Sequence, residues 1–367
     1  MSETQLLEQV TAEILGDYLS DRSADAGEVW APTLWATLTE AGLPLVGIPE
    51  ANGGAGGGWP EVAAVLRALG RFGAPVPLAE SCALAGWLLA EAGLPIPAGP
   101  LTVAPTRSDD HPRLVQDGDG WLLRGTVRRV PWASQATGIV VLAACGNGQV
   151  SQSAGYAVAL VPPTACQIEP GQNLAGEPRD RVTFDDVRLA CEAVGSVRVS
   201  PDDLLVRGAL VRSIQMVGAL DRILELTVGY VQARVQFGRP LGRFQAVQQD
   251  LARLAGECVA SAAAVEGAIA AAERGACVAE VAAAKVRTAE AAALATRIAH
   301  QLHGATGFTQ EHQLHRYTTR LWSWRDAFGA EREWAIRLGR FAAASGAEGY
   351  WGWLTGTAAG DSGGAAT

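Results

Sequence analysis

No C-x-x-C pair occurs in this 367-residue sequence; its six cysteines (Cys82, Cys145, Cys166, Cys191, Cys258 and Cys277) lie at least 19 residues apart. That spacing argues against a zinc site or a disulfide framework and suits scattered core thiols in a reducing, cytoplasmic setting. Basic clusters are also missing: 38 acidic residues face 29 scattered basic ones, for a net charge of -9. A nucleic-acid footprint is thereby disfavoured, and so is anionic lipid. No stretch approaches the ~18 uncharged apolar residues of a membrane span. Even the alanine-rich segment 259–284 is broken by Glu266, Glu273, Arg274 and Glu280. The amino-terminal "MSETQLLEQVTAEILGDYL" has no basic n-region and no cleavage site, so no secretory signal is expected. Neither G-x-G-x-x-G nor G-x-x-x-x-G-K is present, nor a G-x-S-x-G elbow, a triad or a paired-carboxylate signature.

What is present is apolar residues in two periods. With 49% hydrophobic and 18% charged residues, the chain can bury large cores and divide into two or three domains. Residues 1–97 read as helices: "TLWATLTEAGLPLVGIP", "WPEVAAVLRALGRFG" and "SCALAGWLLAEAG" repeat apolar residues every three or four positions and stop at Gly or Pro. Over 98–198 the pattern changes to short β-branched or alternating runs such as "GIVVLAAC", "GYAVALVPP" and "DRVTFDDVRLA", separated by turn residues. The helical period returns over 199–355, where Leu210, Ile214, Val217, Leu220, Leu224, Val228 and Val231 form one stripe of a long helix. A second helix is expected over 243–272, a third over 277–302, and a fourth through "LHRYTTRLWSW" or starting at "AEREWAIRLGRFAAA"; short connections favour an antiparallel four-helix bundle. The tail 356–367 has no large apolar residue to anchor it and is expected to be disordered.

Three local features invite functional readings and are explained as well or better without them. "NGGAGGG", Asn52 to Gly58, sits between helices rather than after a strand and reads as a turn rather than a phosphate loop. His300, His303, His312 and His315 form two H-x-x-H pairs, yet only Glu311 accompanies them as a further ligand, so capping and packing are expected and no metal. Trp322, Trp324, Trp334, Trp351 and Trp353 fit either a bundle core or the lining of a pocket or subunit contact.

The order of helices, β-domain and bundle, together with "RVQFGRPLGRFQAV" and "QLHGATGFTQEHQLHRY", resembles the acyl-CoA dehydrogenase family over nearly the whole chain. "LVGIPEANGGAG", "DGDGWLLRGTVRRV" and "VTFDDVRL" stand at that family's usual places. The resemblance implies an α+β fold, FAD as cofactor, an acyl-CoA thioester as substrate, 2,3-dehydrogenation as the reaction and a tetrameric assembly. It further implies that the arginine-phenylalanine segment reaches across a subunit boundary to the adenine and pyrophosphate end of a neighbour's FAD. Arg234 offers forked donors to phosphate, Phe237 and Phe244 offer apolar surface, and Gln236 and Gln245 offer amides. Gln301, Gly304 and Ala305 supply further contacts from the second motif.

The departures from the family are equally informative. Where its β-domain meets the flavin ring and substrate, this chain reads "LTVAPTRSDDHPRL" and "TVRRVPWAS", with Arg129 and Pro131 in place of an aromatic and a hydroxyl; Trp132 is the candidate replacement. The carboxylate base is missing from both of the family's locations, one falling on Phe328 before Gly329 and the other at about Arg207 to Ala209. Asp326 and Glu331 flank the first location as substitutes. The resulting expectation is a FAD-associated subunit completing the active site of a homologous partner in a heterotetramer, as some bacterial members do on bulky substrates such as steroid side-chain thioesters. The alternatives are an autonomous homotetrameric dehydrogenase using Asp326 or Glu331, and a non-catalytic acyl-CoA or protein-binding module on the same fold. The sequence leaves open the acyl chain, the partner, the electron acceptor and activity in isolation.

Overall fold

A computed structural model describes residues 2–20, 29–146, 155–275 and 277–354. The tail 356–367, expected to be disordered, lies outside them, as does the side chain of Trp353.

Helices α1 (Glu3–Ser20), α2 (Pro32–Glu40), α3 (Trp59–Phe72) and α4 (Gly86–Glu91) build the first region, with a π-helical turn over Glu80–Ala85 leading into α4. In α3, Val62, Val65, Leu66 and Leu69 are buried on one face. The Glu61 carboxylate accepts from the Gly58 amide at 3.0 Å, satisfying a donor that the helix start leaves free.

Eight strands follow: β1 (Leu101–Ala104), β2 (Arg113–Asp117), β3 (Gly120–Pro131), β4 (Gly138–Cys145), β5 (Tyr156–Val161), β6 (Gln167–Glu169), β7 (Arg179–Ala190) and β8 (Val194–Val197). They form one sheet in the order β6-β7-β3-β2-β4-β5-β8, with β1 parallel to β4. The long pair β3 and β7 is antiparallel, and its register slips between Val127↔Val182 and Val130↔Asp180. One extra residue on β3 makes a bulge there, with Arg129 in the left-handed region at φ 59.

Among the described residues the third region holds five α-helices, α5 (Pro201–Ala233), α6 (Gln245–Glu273), α7 (Val278–His303), α8 (Leu314–Arg325) and α9 (Glu331–Leu354). The two candidates for a last bundle helix both form, separated by a break at Phe328 (φ 54) and Gly329 (φ 95) that no α-helix can accommodate. Ser200 and Asp203 cap the 33-residue α5 reciprocally. Among the described helices, α6 alone is long and apolar enough to cross a membrane, with mean hydropathy 1.4 over its best window; 39% of that window is buried in this chain. Helix α3 lies against α5 at backbone distance, because Gly70 and Gly218 lack side chains. A Cβ on Gly70 would sit 1.9 Å from the Gln215 carbonyl oxygen, and one on Gly218 2.0 Å from that of Arg67. This contact joins the first region to the bundle, and one apolar core runs through both and onto the sheet.

Candidate active-site cleft and cofactor clamp

The loop between α8 and α9 faces α5 where the bundle meets the sheet. Three hydrogen bonds fix it. Lys285 on α7, with no solvent exposure, donates from Nζ to the carbonyls of Trp324 (2.8 Å) and Ala327 (2.9 Å). Trp334 on α9 donates from Nε1 to the Phe328 carbonyl at 2.9 Å. Burial, reinforced by Arg212, pulls the Lys285 ammonium down to about 7. So anchored, Phe328 is held at positive φ and is 3% exposed, a conformation costing a bulky residue about 1–2 kcal/mol that the surroundings must offset.

The Phe328 ring lies on Gly208, where an added Cβ would be 2.2 Å from its Cδ1. The two places at which the resemblance puts a base are therefore one place in space, and a phenyl ring fills it. Of the neighbours of Gly208, Ala209 is fully buried. Arg207 is clasped between Trp59 and Trp87, with ring centroids 4.4 and 4.5 Å from its Cζ, and donates from Nε to the Ala83 carbonyl at 2.6 Å. Burial there lowers its guanidinium to about 10. Of the substitutes, Asp326 borders the adjoining cleft but is exposed, 3.7 Å from Arg325. Glu331, in the first turn of α9, is not among the cleft walls.

That cleft lies between the sheet and the bundle, with Arg107, Arg129, Pro131, Arg179, Arg212 and Phe328 among its walls. It offers about 30 Å³ to the centres of water-sized groups, room for two or three of them. The enclosed part of the cleft is far smaller than a fused three-ring flavin. Trp132 does not replace the missing aromatic: it is 3% exposed, outside the cleft walls, with its ring 6.3 Å from Trp30 of the first region.

Behind the cleft runs a buried ionic network. Arg212 pairs with Glu80, the two side chains being 3% and 1% exposed, and its Nη1 donates to Gln215 Oε1 at 2.5 Å. Glu177 is 2.9 Å from Arg179 and 3.4 Å from Arg320, and accepts from Trp324 Nε1 at 2.9 Å and Asn173 Nδ2 at 2.8 Å. Burial alone would raise the Glu177 carboxyl, but Arg179, Arg320 and Arg212 outweigh it and hold the group at about 2. Sequence reasoning missed Glu80, Glu177, Arg179, Arg212 and Lys285. The available signal was a charge set inside an apolar stripe, as in "ALVRSIQMV" and "AAAKV".

The second arginine-phenylalanine feature lies at the far end of α5. The Arg234 amide donates to the Tyr230 carbonyl at 2.8 Å, ending the helix. A hairpin follows from β9 (Val235–Gln236) to β10 (Arg239–Pro240), and its two-residue turn, Phe237 at φ 52 and Gly238 at φ 78, has the doubly positive geometry that matches the strand twist. Phe237 is 87% exposed, edge-on to Phe244 at 6.1 Å, and Arg239 covers the Phe244 ring at 4.2 Å. Gln236 and Gln245 are exposed beside them. Gln301 and Ala305 are exposed at the end of α7, and the space around Gly304 (φ 59) is open. Tyr230 stacks on His303 at 4.4 Å, placing the hairpin and the 301–305 turn at the same end of the bundle. The Arg234 guanidinium makes no hydrogen bond or ion pair among the described residues. An exposed cation, apolar rings, amides and an open glycine fit the adenine and pyrophosphate end of a dinucleotide.

The remaining motifs serve packing. His300 Nε2 and Thr318 Oγ1 are hydrogen-bonded at 3.0 Å, and His303 Nδ1 donates to the Ala299 carbonyl at 2.7 Å. The amides of Gly54, Gly56 and Gly57 return to the carbonyls of Pro49, Ile48 and Val46, so "NGGAGGG" closes on itself. Trp324 and Trp334 are buried anchors, while Trp322 and Trp351 are exposed elsewhere.

Residues 2–95 match the acyl-CoA dehydrogenase N-terminal domain and residues 202–331 the C-terminal domain of the same family. The chain belongs to the acyl-CoA dehydrogenase family. Its members are oxidoreductases acting on CH–CH groups with FAD as cofactor. The chain is 27% identical to acyl-CoA dehydrogenase IpdE2 of Mycobacterium tuberculosis over 92% of its length and 96% of that protein. Among solved structures it is similar to a chain of the ChsE4-ChsE5 complex from Mycobacterium tuberculosis (26% identity, TM-score 0.83, covering 94% of this chain and 98% of that one). It is also similar to a chain of the G363A variant of the Tcur3481-Tcur3483 steroid ACAD (28% identity, TM-score 0.81, covering 94% of this chain and 99% of that one).

Proposed function

We propose that this chain is the base-lacking subunit of a FAD-dependent acyl-CoA dehydrogenase and completes the active site of a homologous partner. The observation that carries this reading is Phe328, buried on Gly208 where either of the family's base positions would place a carboxylate. The space enclosed beside it, about two or three water-sized groups, is small for a flavin ring held by this chain's own cleft. The exposed hairpin, by contrast, fits the far end of a cofactor held mainly by a neighbour. There Arg234 binds pyrophosphate, Phe237 and Phe244 cover adenine, and Gln236, Gln245, Gln301, Gly304 and Ala305 add amide and backbone contacts. FAD, when bound, supplies the acceptor for the hydride that leaves the substrate's β-carbon. The partner supplies the base for the α-proton. Both similar complexes join two named proteins, and one is called a steroid ACAD, so a bulky steroid-class acyl-CoA is the substrate class to test first.

The test is to purify the chain alone and co-expressed with a homologous dehydrogenase subunit. Flavin absorbance and acyl-CoA-dependent reduction of an artificial acceptor should appear in the complex and be lost in the lone chain. Arg234→Ala should lower the flavin content of the complex. Turnover by the isolated chain that Asp326→Asn or Glu331→Gln abolishes would instead establish the autonomous enzyme, and a colourless complex with every homologous partner would favour a binding module.

A further inference from the structure

The cleft beside Phe328 is small, but its charge is unusual for an acidic protein. Four arginines wall it, Arg107, Arg129, Arg179 and Arg212, against the single carboxylate of Asp326, which Arg325 already neighbours at 3.7 Å. Three of the four have fixed counter-ions: Asp109 for Arg107, Glu177 for Arg179 and Glu80 for Arg212. Glu177 is shared between Arg179 and Arg320 and so cannot neutralise both, whereas Arg128, which also reaches Asp109, has buried Asp110 as its own partner. The Arg129 guanidinium has no hydrogen bond or ion pair among the described residues, and the β3 bulge puts it at the cleft at the cost of a left-handed backbone. Arg212 is 2% exposed, and its Nε is buried without a hydrogen-bond partner. Such a donor is expensive to leave unmade. Arg129, Arg179 and Arg212 line the same cleft; burial lowers the Arg179 guanidinium, with Glu177 and Glu80 working against that and Arg212 and Arg129 adding to it.

We infer that this cleft binds a small oxyanion, of the size of phosphate or a carboxylate, between Arg129, Arg179 and Arg212. The enclosed space, for two or three water-sized groups, suits the oxygens of such an anion better than an acyl chain or a flavin ring. Arginine forks suit oxyanion geometry. The bound anion satisfies the one wall arginine lacking a counter-ion and locks the β-domain to the bundle, since Arg129 and Arg179 come from the sheet and Arg212 from α5.

The test uses the full chain and Arg129→Asn, a variant that removes the charge yet suits the left-handed backbone, so that it folds at least as well. Thermal unfolding and titration calorimetry are run with inorganic phosphate, acetate and coenzyme A, each at ionic strength held constant with sodium chloride. Saturable binding of phosphate or acetate, accompanied by a rise in melting temperature and weakened about tenfold or more in Arg129→Asn, is the expected result. A phosphate response equal in the two proteins, or one reproduced by chloride at equal ionic strength, overturns the site. Saturation by coenzyme A alone overturns it as well, because the anion would then be a tethered phosphate. Flavin content does not enter any of these readouts, so the outcome is independent of the partner hypothesis.

Discussion

Replacing Gly208 by alanine should have opposite effects in two backgrounds. In the native chain the new methyl would lie 2.2 Å from Phe328 Cδ1, 2.4 Å from Cγ and 2.5 Å from Cε1. The ring cannot simply withdraw, because Trp334 holds the Phe328 carbonyl and Lys285 that of Ala327. Overpacking of this kind costs about 1–3 kcal/mol. Alanine returns about 1 kcal/mol over glycine inside a helix, so the net loss is of order 1 kcal/mol and reaches about 2 where the site is least able to relax. Phe328→Ala alone empties a buried position and should cost about 3–5 kcal/mol. In that background the methyl enters vacated space, only the helix term survives, and Gly208→Ala should stabilise by about 1 kcal/mol. The propensity term is common to both backgrounds and cancels in the double-mutant cycle, leaving a coupling of about 1–3 kcal/mol. Urea unfolding of the four proteins, followed by tryptophan fluorescence, measures it. Equal effects of Gly208→Ala in both backgrounds, within about 0.5 kcal/mol, would refute the claim that the two base positions coincide and that the ring fills them.

Three further outcomes follow from the same geometry. Phe328→Glu should leave the isolated chain without acyl-CoA-dependent acceptor reduction, because a base without space for a flavin ring has nothing to work with; turnover by that variant alone would show the cleft to be larger than it is here. Phe237→Asn should raise the melting temperature of the isolated chain, relieving about 1 kcal/mol of left-handed strain in the hairpin turn, while lowering the flavin content of the assembled complex; unchanged flavin would remove Phe237 from the clamp. Glu177, lowered in the fold to about 2 from 4.5, binds fewer protons folded than unfolded between those values, so its contribution to stability is complete above about pH 4.5 and is lost as pH falls towards 2. Urea midpoints at successive pH values should show that decline flattened in Glu177→Gln.

The helical and strand regions were legible because burial imposes a pattern on the sequence: "DRVTFDDV" alternates because one face is buried, and "GIVVLAAC" is a short continuous apolar run because both faces are. The segment at Arg234 drew attention only through resemblance, and its hairpin was not foreseen, since its residues are exposed and nothing in their pattern demands that conformation. Least legible was the ionic network. A charged residue in a helix stripe ordinarily marks a solvated edge, yet Arg212 is buried because Glu80, distant in sequence, lies opposite it, and no local pattern encodes that pairing. The role of Trp132 was misjudged for a related reason: adjacency in sequence placed it near the cleft, while its own positive φ turns it away towards Trp30.

The same network explains how a phenylalanine came to be tolerated at the base position. A buried guanidinium needs a counter-ion, and removing one from such a pair costs about 3–5 kcal/mol. Had the residue at 328 been the partner of Arg212, an aromatic replacement would have left that charge uncompensated. Here Glu80 already neutralises Arg212 from the π-helical turn of the first region, and the arginine lies 5.8 Å from the Phe328 ring without depending on it. A carboxylate at 328 is therefore dispensable for folding and required only for removing a proton. A chain whose partner performs that step can fill the site with a ring, keep its packing and retain the arginines, whose remaining unmet charge then falls on Arg129 at the cleft mouth.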